Sequence, residues 1–362
     1  MSGKTTIKML KAYAPKAKPT MFLSGFFQTP PENFHASEEV EIDIQRTDEE
    51  VAVAIHDVST GYNMNSSDLY TNKGFKPPVY KEATPINAAD LLSRNMGDNP
   101  FADVTFRVKL IQRFFNSMQN VEQKVRRAIE LQASQILQTG VVTLKNAAGA
   151  DVYTIDFKPK TTHFPTAGTA WSDPGADIIG DINSLCEVVR NDGLEDPDQL
   201  LFGAGSFEAA LKNDEFIKRF EARRADLGTI SPMKVTGQGG QYRGTLEIGT
   251  YKLDIWTYGG RYKDPTTGDK VKYIADESVV VRSSMGRLDG TFGAIPNFNE
   301  MLGGASILPE VPRRFAMGSK SIDLHTNVWK SADGDHLFGG IGSRPLLIPT
   351  AIDTFGCINT GI

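Results

Sequence analysis

The side chains best suited to proton transfer near neutral pH are histidines, and this chain has them at His35, His56, His163, His325 and His336. No two have the spacing of an H-E-x-x-H pattern, which would set two metal ligands and a general base on one helix face. Gly237, Gly239, Gly240 and Gly244 suggest a phosphate-cradling loop, but no Lys-Ser/Thr pair closes it and the spacing is not that of a dinucleotide fingerprint. Asp333 and Asp335 flank Gly334 as in an oxygen-ligand loop for a divalent cation, yet no Glu follows at the distance an EF-type loop requires. Cys186 and Cys357 are too few for a disulfide framework or a cysteine-built metal site. Trp171, Trp256 and Trp329 fall in different predicted elements, so no base-stacking platform is indicated. The expectation is a protein without catalysis, cofactor or metal.

Charge is distributed more tellingly. The chain has 362 residues, 40% hydrophobic and 23% charged, with a formal net charge of −5, which gives no global argument for neutralising nucleic-acid phosphates. Residues 1–20 carry Lys4, Lys8, Lys11, Lys16 and Lys18 without an acid. The stretch Glu38 to Glu50 instead holds seven acids, among them Glu38, Glu39, Glu41 and Asp43, against Arg46 alone. The cysteine content fits a reducing compartment. Met21 to Phe27 is interrupted by Ser24 and Gly25 and followed by two prolines, too short for a signal core or a membrane span. These features point to a cytoplasmic product with no membrane association.

The elements that must position such charges are dominated by one helix, predicted from Asn99 to Thr139. Asn99 and Pro100 form a start signal and Gly140 a stop. Val104, Val108, Ile111, Phe115, Met118, Val125, Ile129 and Ile136 lay an apolar stripe along it, losing register near Asn116 to Asn120, which allows a kink or a break there. Such a helix would reach roughly 60 Å. Before it, residues 1–37 read as an arm. Alternation at Val40, Ile42 and Ile44, with Glu41, Asp43 and Gln45 between, starts a two-stranded projection. After it come a hairpin around Gly149, a Pro/Gly-rich connector at 159–174, helices at 177–189 and 206–224 with caps at Ser206 and Asn213, and several later strands. The class is α+β, with no alternating βαβ series and no internal repeat.

This combination resembles the major capsid proteins of tailed bacteriophages, specifically the lambda capsid protein E-like family. The likeness is carried by Asn99-Pro100-Phe101-Ala102-Asp103, Leu137-Gln138-Thr139-Gly140, Ala170-Trp171-Ser172-Asp173-Pro174, Tyr258-Gly259-Gly260-Arg261-Tyr262 and Ser343-Arg344-Pro345-Leu346-Leu347. The resemblance implies the HK97-type capsid fold. Its parts would be an N-terminal arm (1–37), an extended loop (38–97), a peripheral domain with the spine helix (98–175 and 251–334) and an axial domain (176–250 and 335–362). It also implies self-assembly into hexamers and pentamers of an icosahedral head shell that encloses double-stranded DNA without sequence-specific binding. The expected location is the virion, after assembly in the bacterial host cytoplasm. Expected partners are copies of the chain itself, a separate scaffolding protein, a portal and a cement or decoration protein. An encapsulin-like compartment shell is the alternative on the same fold.

Within that resemblance, the extended loop of one subunit lies across the spine-helix region of the next. The acidic run, with Glu38, Glu39, Glu41 and Asp43, is then expected against Arg107, Arg113, Lys124, Arg126 and Arg127 of the neighbour. Exposed ion pairs contribute only about 0–1 kcal/mol each, so they would set register more than affinity. Apolar arm and loop residues, Phe22, Phe26, Phe27 and Tyr70, are expected to supply the bulk of the association.

Overall fold

The computed structural model describes residues 22–35, 40–45, 70–87, 106–145, 149–221, 225–226, 229–230, 239–295, 323–331 and 336–362. In chain order its elements are β1 (Val40–Gln45), β2 (Tyr70–Phe75), β3 (Tyr80–Asn87), α1 (Phe106–Thr139), β4 (Val141–Lys145), β5 (Asp151–Asp156), α2 (Ile178–Gly193), β6 (Gln199–Phe202), α3 (Ala204–Ala210) and α4 (Asp214–Arg219). There follow β7 (Phe220–Glu221), β8 (Ala225–Asp226), β9 (Thr229–Ile230), β10 (Gly240–Ile248), β11 (Tyr251–Tyr258), β12 (Arg261–Lys263), β13 (Lys270–Lys272), β14 (Ser278–Arg282) and β15 (Asp289–Phe292). The last are β16 (His325–Lys330), β17 (His336–Ser343), β18 (Pro345–Ile348) and β19 (Phe355–Asn359).

Helix α1 is uninterrupted over 34 residues, a length of about 51 Å. Its predicted start at Asn99-Pro100 lies outside the described residues. No break interrupts the helix near Asn116 to Asn120, because the buried stripe keeps its register. Leu110, Phe114, Met118, Val121, Val125, Ile129, Ala133 and Ile136 are all buried and follow one another at steps of three or four. Phe114 and Val121 carry the stripe across Asn116 to Asn120, whereas Ile111 and Phe115 lie on its flank, half-buried. Gly140 ends the helix in the left-handed region at φ +66°, where a Cβ would lie 2.5 Å from Pro159.

Two hydrophobic cores share one sheet. The six-stranded sheet runs β19-β14-β6-β11-β10-β7. Because side chains alternate along a strand, Leu200, Phe202, Leu253, Ile255, Val279, Val281 and Ile358 face one core with α2, α3 and α4. Leu201, Val280 and Cys357 face the other, which is built around α1. Strands buried on both faces read as continuous apolar runs, as Val279-Val280-Val281 does. Residues 251–258 and 278–282, grouped from sequence with the peripheral domain, are thus central strands of the sheet that also carries α2.

On the α1 side, β16, β17 and β3 form a three-stranded antiparallel sheet laid against the helix. Gly339 of β17 lets the backbone approach, since a Cβ there would sit 2.9 Å from the Met118 sulfur and 3.1 Å from the Phe114 ring. Residues 80–87, grouped from sequence with the extended loop, therefore belong to this sheet, and Ile86 is buried in its core. The two-stranded projection itself is represented by β1 and β2, antiparallel from Val40↔Phe75 to Gln45↔Tyr70.

Local signals behaved unevenly at the helix starts. Asp177 caps α2 by accepting from the Gly180 amide at 2.8 Å, and Asn213 caps α4 by accepting from Glu215 and Phe216. Ser206 is not a cap: α3 begins at Ala204, and the Ser206 hydroxyl donates to the Asp276 carbonyl at 2.7 Å.

Candidate assembly surface

The C-terminal half of α1 carries a line of polar side chains that turn inward. Glu130 is fully buried, and its two carboxylate oxygens accept the Leu23 amide at 2.8 Å and the Ser24 amide at 2.9 Å. Burial pushes its carboxyl above the ordinary range, only partly offset by those bonds and by one from Tyr258. Gln132 donates to the Tyr80 hydroxyl at 2.9 Å and to the Pro345 carbonyl, and accepts the Leu347 amide at 3.3 Å. Ser134 and Gln138 both bond the Tyr273 carbonyl, and Gln138 also accepts the Ala275 amide. Gln135 reaches Thr143 of the following hairpin. One helix thus binds the arm, β3, β18, the loop after β13 and the hairpin β4–β5.

The apolar arm residues lie inside this construction. Phe22 is buried against Phe26, Trp256 and Tyr258, with ring centroids 5.1, 5.7 and 5.4 Å away. Phe27 is buried too, and Phe26 is half-buried beneath the Arg282 guanidinium, centred 4.2 Å over its ring. Further along, Phe34 stacks on Phe292 at 5.1 Å. Their hydrophobic partner is the subunit's own core.

The basic candidates on α1 divide. Arg126 is turned inward, 14% exposed, with Asp323 at 2.8 Å and Glu122 at 3.8 Å. Lys124 and Arg127 stay exposed, Lys124 3.2 Å from Glu82 and Arg127 3.4 Å from the Gln123 side-chain oxygen. Arg113 is half-buried. Arg107 is in the first turn of the described helix, Glu41 and Asp43 lie in β1, and Tyr70 opens β2 opposite Gln45; only the backbone of these four is described. Glu38 and Glu39 lie outside the described residues.

Nothing in the sequence expectations marks Glu130, Gln132 or Ser134 as inward-facing. The available signal was spacing, since Glu130, Ser134 and Gln138 recur at steps of four beside the apolar stripe.

Among the described residues no group of three or more His, Cys, Asp or Glu side chains is placed to hold a metal ion. Nor is any described helix long and apolar enough to cross a membrane. His163 is buried in a structural role, with Nδ1 2.8 Å from the Phe355 carbonyl and Nε2 3.0 Å from Asp192. Cys186 and Cys357 are buried free thiols, each pushed up to about 12 by burial.

A family model described as phage major capsid protein E matches residues 9–355. No curated protein matches by sequence. Among solved structures, a protein described as a capsid protein of an E. coli CFT073 prophage is similar over 97% of this chain and 98% of its own, with a TM-score of 0.63 at 16% identity. A phage-related protein from Bordetella bronchiseptica RB50 gives 0.49 at 11% identity, covering 98% and 96% of the two chains. The SrpI encapsulin of Synechococcus elongatus PCC 7942 gives 0.42 at 9%, covering 98% and 94%.

Proposed function

Because the chain belongs to the phage major capsid protein E family, we propose that it assembles as hexamers and pentamers into the icosahedral head shell of a tailed phage and encloses packaged double-stranded DNA. The fold is the HK97-like α+β capsid fold. The observation that carries the reading is the family match across residues 9–355, joined to a body whose buried polar groups are committed to holding segments together. We assign the chain no catalytic role. The α1-centred body is the peripheral domain in this reading and the α2–α4 body the axial domain.

Assembly takes place in the host cytoplasm, with a separate scaffolding protein, a portal and a decoration protein as partners, and the product is the virion head. DNA is contained without sequence-specific contacts, since a net charge of −5 disfavours strong binding to phosphates. The extended loop of one subunit crosses the spine-helix region of its neighbour, where Lys124 and Arg127 are the exposed cations among the described side chains of α1. Arg126 is a poor probe of that contact, because reversing its charge would break the intramolecular pair with Asp323.

Negative-stain electron microscopy of the purified full-length chain tests the reading. Shells, tubes or hexamer sheets are the expected result. Monodisperse monomers that persist under all concentrations and salts would overturn it.

A further inference from the structure

The hairpin β12–β13 has an unfavourable pattern of its own. Its register sets Arg261 opposite Lys272 and Lys263 opposite Lys270, with Tyr262 opposite Val271 between them. By strand alternation the four cations share one face. The other face is anchored to the body, where the Tyr262 ring packs 5.1 Å from Tyr273. Like charges directly opposite one another destabilise an antiparallel pair, and here they occur at two consecutive positions on the same face. Arg261, Lys263 and Lys270 are exposed, and among the described residues none of the three has a carboxylate within ion-pair distance. Only Lys272 is paired, with Asp276 at 2.5 Å. Arg261, Lys270 and Lys272 also line a shallow depression that reaches Gln138 at the end of α1, so the charge is gathered on a concave surface.

We propose that this basic hairpin face is a docking site for the acidic strand β1 of a second copy of the chain, with Glu41 and Asp43 as its principal carboxylates. The inference rests on the assembly reading above and names a surface that the spine helix alone does not provide. Charge complementarity is the argument. The stretch Glu38 to Glu50 holds seven acids against one arginine, and the described part of it is a strand. Carboxylates two residues apart on a strand recur at about 6.6 Å, the same interval that separates Arg261 from Lys263 and Lys270 from Lys272. A homo-oligomer carries the two complementary surfaces in equal number, so each subunit can give one and receive one. Of the acids near the hairpin, Asp264 accepts the Thr266 amide at 2.7 Å within the turn and Asp276 holds Lys272, while Asp269 is exposed in the turn beside Lys270 and has no cation within ion-pair distance among the described residues.

The test is a charge swap in the purified full-length chain. Lys263→Glu with Lys270→Glu is expected to lower shell yield about tenfold at low salt, as is Glu41→Lys with Asp43→Lys. All four substitutions together should restore the yield. Folding is checked by circular dichroism and melting temperature, and Lys263→Gln with Lys270→Gln serves as a milder variant whose yield should depend less on sodium chloride. Wild-type yield from the reversed hairpin would overturn the inference, as would a four-fold variant that folds but assembles no better than the hairpin reversal. Normal assembly with loss of duplex DNA binding would overturn it in favour of a nucleic-acid contact. Failure of the wild-type chain to assemble would instead count against the assembly reading itself.

Discussion

The two cores that share the six-stranded sheet are held together in different ways. The α2–α4 core has an aromatic centre, with Phe202 in contact with the rings of Trp171, Phe207 and Phe216 at 6.4, 5.6 and 6.1 Å, and buried Ser206, bonded to Asp276 and Thr360, is a polar fastening at its edge. It draws mainly on residues 171–281, so much of it comes from chain that is close in sequence. The α1 core is also apolar at its centre, but its perimeter is fastened by buried hydrogen bonds from one helix to segments far away. The Leu23 amide reaches Glu130 across 107 positions, and the Leu347 amide reaches Gln132 across 215. Apolar packing is forgiving of direction, whereas a buried hydrogen bond is lost when its partner moves. The α1 body is thus pinned at named points, and the α2–α4 body is filled.

The strongest way to break the filled body is to empty its centre. Phe202→Ala removes a fully buried ring from the aromatic cluster and should cost about 3–5 kcal/mol of stability, measured by urea unfolding of unassembled chain. A loss below about 1 kcal/mol would mean that the cluster collapses around the cavity and is less tightly packed than its ring geometry implies.

The pinned body should respond less in total energy and more in one place. Glu130→Ala removes both acceptors of the Leu23 and Ser24 amides, at about 1–3 kcal/mol, and hydrogen exchange should quicken at those two amides before it does in α2. The pH dependence has a definite sign. Burial raises the Glu130 carboxyl in the folded chain, so the native state holds its proton over a window where the unfolded state has released it. Its contribution is complete below about pH 4.5, the carboxyl's ordinary value, and is lost as pH rises through the higher folded value. The gap between wild type and Glu130→Ala should therefore narrow with rising pH. A gap that widens would show that the amide bonds outweigh the cost of burial.

Sequence made the helix end at Gly140, the turn at Gly149 and the cap at Asn213 legible, because each is set by one or two neighbouring residues. Sheet membership was not legible in the same way. Val279-Val280-Val281 announces a strand buried on both faces but does not say which sheet, and β14 pairs with β6 and β19, about eighty residues away on either side. The pins of α1 were hidden for another reason. A Glu in a helix is usually solvated, and only the arrival of Leu23 and Ser24, supplied by tertiary structure, makes Glu130 a buried acceptor. Phe22 and Phe27 were legible as residues in need of a hydrophobic partner, though not as residues whose partner is their own subunit.

The smallest predicted effect sharpens the comparison at the exposed edge of the pinned body. Lys124 and Glu82 form an ion pair with side chains 60% and 47% exposed, linking α1 to β3. Pairs in that setting contribute about 0–1 kcal/mol, because water screens the attraction and two long side chains must be ordered. Lys124→Ala should leave the unfolding midpoint of unassembled chain almost unchanged. If the neighbour's extended loop crosses this face, the same substitution should still lower the salt sensitivity of shell formation, since one exposed cation has left the contact. The separation of the two readouts is the point. An altered midpoint with unaltered assembly would make Lys124 a fastening of α1 to β3, whereas an unaltered midpoint with altered assembly would make it part of the surface that one subunit presents to the next.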